Sequence, residues 1–351
     1  MKTFAEYKNP PKRRQIKESA ASQYTLFPKD KKELKDMIDS EIKKHGNNAD
    51  LNHIDIRKIQ DLSGLFEHSK FNGDISGWDV SNVRFMGWMF RGSSFNQDIS
   101  KWDTSKCISM SFMFERSAFN GDISSWNVSN VESMECMFYE SPFDGDISEW
   151  DVSNVKAMHG MFSYSRFNGD ISGWDVSNVT DMSSMFSWSK FNQDISYWNV
   201  SNVKNMACVF SGCADFNGNL KRWNTKNVER MDHMFFQAVS FNQSLSLWDV
   251  SKVRNMSNMF CGALKFNQDI SGWDVSNVRD MSEMFFGSEK FNQDISGWDV
   301  SNVKYMGFMF REAKSFNQDI SKWNVSNANY SNSIDMFKDC PCPKEYQPVF
   351  K

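Results

Sequence analysis

Residues 167–190 read FNGDISGWDVSNVTDMSSMFSWSK, and this stretch returns along most of the chain. Its leading Phe recurs as Phe71, Phe95, Phe119, Phe143, Phe167, Phe191, Phe216, Phe241, Phe266, Phe291 and Phe316, at a spacing of 24 residues and then of 25. Eleven of the 13 Trp fall in one further column, from Trp78 through Trp174 to Trp323. Self-similarity at such a period marks a solenoid of stacked coils. A degenerate first unit over 54–66 keeps the pattern with aliphatic residues, so about twelve coils are expected. One coil cannot bury Phe, Ile, Trp, Val and two Met alone, whereas stacked coils can.

Within a unit two apolar periods alternate. Trp174 and Val176 flank Asp175, which predicts a short parallel strand with one face inward. Val179, Met182, Met185 and Phe186 follow at spacings that predict one face of a short helix or 3₁₀ turn, with Ser177 or Asn178 as its cap. The expected fold is therefore an α/β repeat, a right-handed solenoid of stacked coils. The extra residue of the later units falls in the return loop, as at 211–215. The expected divisions are a basic mobile segment over 1–23, a helical cap over 24–53, the solenoid over 54–337 and a C-terminal cap over 338–351. The helix of the first cap is read at 30–44 from Leu34, Met37, Ile38 and Ile42.

Composition narrows the function. The chain has 351 residues and a formal net charge of -4, which excludes a strongly basic nucleic-acid binder. Residues 1–50 hold 12 Lys/Arg against 8 Asp/Glu, leaving 28 against 36 for the remainder. No apolar run approaches the length of a membrane span, and none follows the basic N-terminal residues as an export signal would. A cytoplasmic location is expected on that ground, with a surface or secreted one as the alternative. Seven Cys scattered over different repeat positions point to free thiols in a reducing compartment. The five His share no repeat position, and no nucleophile–base spacing or phosphate-binding Gly loop appears, so no enzyme and no cofactor is expected.

The repeated FNGDISGWDVSNVTDMSSMF unit resembles the BspA-like leucine-rich-repeat family, which is common in mycoplasmal surface lipoproteins and gut bacteria; the resemblance spans residues 54–337. It implies a leucine-rich-repeat-type solenoid used for binding, with no catalytic residues to carry over.

Three sets of columns bear on function. Acids recur at Asp74, Asp98, Asp122, Asp146, Asp170, Asp194, Asp269, Asp294 and Asp319, and again at Asp79, Asp103, Asp151, Asp175, Asp249, Asp274 and Asp299. Calcium would offset their stacked charge. Their exchange for Asn at 127, 199, 224 and 324 favours Asx bonds to nearby backbone N–H groups instead. The Asn column from Asn72 to Asn317 reads as an inward-facing amide ladder, and the Met pairs as core filling. Specificity should lie where coils differ. Phe85, Trp88, Phe112, Tyr139, Tyr164 and Trp188 are aromatics the framework does not require, and they form the candidate binding strip for a protein partner. Packing on neighbouring loops is the alternative for them, and the acidic strand face is the competing surface. The expected protein is a monomeric scaffold, with a surface adhesin or a cytoplasmic inhibitor from a mobile element as alternative roles.

Overall fold

The computed structural model describes residues 24–350, so the basic segment expected at 1–23 lies outside the described residues. The chain opens with a helix, α1 (Lys31–His45). Asp30 caps it by accepting the Glu33 N–H, basic residues fill its last turn, and Gly46 ends it at a φ of 83°. Leu34 and Ile38 are fully buried and join the same apolar core as Leu51 and Ile54. Lys31 reaches Asp61 of the first coil at 3.1 Å.

Beyond α1 the chain is a solenoid whose coils are made almost wholly of turns. The expected helix over Val179–Phe186 does not form, and its Ser177 or Asn178 cap caps nothing. The segment folds instead as consecutive β-turns: Met185 N–H donates to Met182 O, Ser187 to Ser184 O, and Ser189 to Phe186 O. Ser184 and Trp188 sit at φ of 57° and 56°, the third position of type II turns. A left-handed residue every fourth position breaks an α-helix before its first turn closes.

The alternate amides point along the stack. Met182, Ser184, Phe186 and Trp188 donate to Asn205, Ala207, Val209 and Ser211 of the next coil. Ser183 N–H goes to Asp181 Oδ1, so all eight N–H groups from Met182 to Ser189 are satisfied. The parallel pairing also lies here and not at Trp174–Val176, through single bridges such as Ala157 to Asp181 and Asp181 to Asn205. The strand expected at Trp174–Val176 is a correction of the same kind: its backbone makes no ladder to neighbouring coils.

Side chains sew the coils together on that other side. Each indole of the Trp78-to-Trp323 column donates to the Ile, or Leu, carbonyl of the coil before it, as Trp174 Nε1 does to Ile147 O at 3.1 Å. Asn178 Nδ2 donates to Ser153 O at 2.7 Å. From Asn96 to Asn317 the column passes each backbone N–H to the side-chain oxygen one coil back, as Asn192 does to Asn168 at 2.8 Å. These amides are mostly exposed, not inward as the sequence suggested. They form a ladder on the rim.

The two coil lengths solve one problem differently. In 24-residue coils the N–H of the leading Phe is accepted by a Ser hydroxyl two residues earlier, as in Phe119 to Ser117 Oγ at 3.2 Å. In 25-residue coils the inserted residue closes an extra turn, and a backbone carbonyl accepts instead, as in Phe266 to Ala263 at 3.1 Å. Inside, the Phe rings stack along the axis, with Phe162 to Phe186 at 5.9 Å and Phe186 to Phe210 at 5.8 Å. The core runs unbroken from Leu34 to Cys342. It closes beyond the last coil, where Ile320 N–H donates to Tyr346 O and Tyr346 packs on the core.

Candidate binding surface

The left-handed positions of the turns form two columns running the length of the solenoid. One passes through Gly64, Trp88, Phe112, Cys136, Gly160 and Ser184, the other through His68, Gly92, Arg116, Glu140, Tyr164, Trp188 and Gly212. Apart from Gly46, every described residue with positive φ lies in one of them. Side chains here lean towards the next coil. A Cβ on Gly212 would meet the Trp188 ring at 2.4 Å, and one on Gly92 would meet His68 at 2.4 Å.

Four of the six candidate residues occupy these columns. Trp88 and Phe112 stack at 5.3 Å in the first. Tyr164 and Trp188 stack at 6.1 Å in the second, and Tyr139 meets Tyr164 edge-on at 5.7 Å. Tyr164 keeps 50% of its surface exposed, Trp188 43% and Trp88 42%. Phe112 and Tyr139 are half-buried. Phe85 is 40% exposed but stands at a bridge position, three residues before Trp88. The six therefore form two groups rather than one strip. The rings do pack on one another, yet they leave broad faces to solvent.

An ion pair lies beside the second group. Arg116 Nε approaches Glu140 Oε2 at 2.8 Å, and its guanidinium stands 5.5 Å from the Tyr139 ring centre. The bond to Arg116 holds the Glu140 carboxyl below its usual range. Burial, followed by the Glu140 carboxylate, raises the Tyr139 hydroxyl. The group is thus a stack of three rings with a paired charge at its side, a surface suited to an aromatic or aliphatic anchor of another protein.

The acid columns behave as backbone caps. Asp170 Oδ1 accepts the Ser172 N–H at 2.9 Å, Asp175 accepts Ser177, and Asn127 does the same for Ser129. These N–H donors lower the carboxyls of Asp74, Asp122, Asp170 and Asp294 below their usual range. Among the described residues no three of His, Cys, Asp and Glu gather as metal ligands would. All seven Cys carry free thiols, and burial pushes those of Cys107 and Cys213 up to about 12. No helix among the described residues is long and apolar enough to cross a membrane.

A family model described as "Mycoplasma protein of unknown function, DUF285" matches residues 32–142, 117–190, 141–248 and 237–346. The chain belongs to this family. No curated protein matches it. Among solved structures, this DUF285 member is similar to the functional domain of InlJ from Listeria monocytogenes, which includes a cysteine ladder, at 10% identity and a TM-score of 0.28. That similarity covers 80% of this chain and 61% of the InlJ domain, so the chain spans less than two thirds of its length. A second similarity is to the Leptospira interrogans LRR protein LIC12759, at 8% identity and a TM-score of 0.19, covering 78% of this chain and 72% of that one.

Proposed function

We propose that this DUF285 solenoid is a non-enzymatic scaffold that binds a protein partner through the ring stack of Tyr139, Tyr164 and Trp188. The observation that carries this reading is where the two most exposed rings of the stack stand. Tyr164 and Trp188 sit at φ of 55° and 56°, where a residue other than Gly costs about 1–2 kcal/mol. Four other coils place Gly in that column, at 92, 212, 262 and 287. Bulky rings held half in solvent against this preference are poor choices for stability and good ones for an interface. The resemblance to BspA-like repeats, whose members bind through such solenoids, supports the same reading. The right-handed sense expected of the coils belongs with it.

The test uses glycine, which removes the rings while suiting the backbone. A Tyr164→Gly, Trp188→Gly double variant should lose at least tenfold in affinity for the partner recovered by cross-linking to the wild-type protein. Its melting temperature should stay within a few degrees, because relief at two left-handed sites offsets lost ring contacts. Equal affinity in the two proteins would sink the reading and move the interface to the acidic side of the coils, where salt should then dissociate the complex.

A further inference from the structure

Far from the ring stack, the first residue after each coil's inner Val forms a column of its own. In its first half one pair of opposite charges meets across coils, Lys156 and Glu132 at 2.6 Å. Further along, three cations follow in succession: Arg254, Arg279 and Lys304. Their backbones are bonded directly, Arg279 N–H to Arg254 O and Lys304 N–H to Arg279 O, each at 2.9 Å. The side chains therefore start about 4.8 Å apart, the spacing of parallel strands. All three are exposed, and none forms an ion pair among the described residues.

The three cations line an open groove of about 370 Å³ together with Asn277, Asn302 and Asn327, and no carboxylate lines it. Each Asn spends one amide hydrogen on a Ser carbonyl of the coil before, as Asn277 does on Ser251 at 2.7 Å and Asn302 on Ser276 at 2.8 Å. The second hydrogen of each amide remains for a ligand. Like charges stacked at this distance repel, and at Lys156 the chain sets an acid, Glu132, beside the cation. Here it leaves them unopposed beside spare amide donors.

We infer that this groove is a binding site for a short oligoanion carrying two or three phosphate or sulfate groups, one per coil. Arg offers two parallel donors that match a tetrahedral oxyanion, Lys adds a point charge, and the Asn amides complete the donor set. The cation run is short. It ends at Glu229 on one side and Asn329 on the other, within a solenoid that is net acidic. That setting favours a ligand confined to three coils over a long polyanion such as a nucleic acid.

The test titrates the full chain at low salt with sodium tripolyphosphate and, separately, with a sulfated hexasaccharide. At least one should bind at one ligand per chain, and the tighter of the two tells an oligophosphate from a sulfated glycan as the source. Binding should fall at least tenfold in an Arg254→Gln, Arg279→Gln, Lys304→Gln variant and with rising salt. It should strengthen in Glu229→Gln and stay unchanged in Lys35→Gln, whose cation lies on α1. Unaltered melting of the exposed-site variants verifies their fold. Failure of both anions to bind the wild-type chain, or equal binding by the triple variant, overturns the site. Neither result bears on the ring stack, which shares no residue with the groove.

Discussion

A single serine hydroxyl shows how closely residue choice and coil length are tied. Ser117 is buried and accepts the Phe119 N–H, which has no backbone acceptor in a 24-residue coil. Ser117→Ala should cost about 1–3 kcal/mol, the range for an orphaned buried donor, read from chemical denaturation. Ser288 occupies the matching place in a 25-residue coil, where Phe291 N–H already goes to the Ser288 carbonyl and the Ser288 hydroxyl donates to Phe260 O. Ser288→Ala removes that bond but orphans no group, since Phe260 O keeps the Ala263 N–H, so it should cost less than Ser117→Ala, and an equal or larger loss would contradict this division of labour. The left-handed columns were only partly legible at this scale. Gly64, Gly92, Gly160, Gly212, Gly262 and Gly287 all fall in them, but the other occupants, from Trp88 to Glu312, hide the requirement. The exposed aromatics could be read from the sequence because nothing in the repeat demands them. Their division into two groups could not, because it depends on which turn each residue ends.

At the scale of one coil the sequence misled for a definite reason. Val179, Met182 and Met185 recur every three residues, a spacing shared by a helical face and by chained turns that each return one side chain inward. Periodicity cannot separate the two; the left-handed residues do. The Asx reading of the acid columns followed from Asp–Asn exchange and matches the bonds formed. It also sets the acid response of the coil. Backbone N–H donors lower Asp122, Asp146, Asp170, Asp194, Asp269 and Asp294 from an ordinary 3.8. A group depressed in the folded state contributes stability that is present above its unfolded value and lost as pH falls through the folded one. The melting temperature should therefore hold from pH 8 to about pH 5 and decline progressively below about pH 4. Replacing Asp170 and Asp194 by Asn, which keeps the acceptor without the charge, should flatten part of that decline. A melting curve indifferent to pH between 5 and 2 would contradict the capping role.

The whole molecule was the most legible level. A fixed period, one Trp column and a polar rim specify a stack whose coils contact only their neighbours. What sews the stack on its second side was not legible, since Trp indoles and Asn amides acting between coils look, in one dimension, like core and loop residues. The cation groove escaped notice for a related reason. Arg254, Arg279 and Lys304 are ordinary surface residues until stacking sets them side by side. The central claim is that coils are interchangeable units in register along one axis. Small-angle scattering of a variant lacking residues 119–190 tests it most directly, because the cut removes three whole coils and joins Ser117-Ala118 to Phe191, restoring the Ser-x-Phe junction. The long dimension should shorten by about 14 Å, three strand spacings, with the cross-section unchanged. An unchanged long dimension, or collapse to a disordered chain, would contradict the stacked-coil architecture.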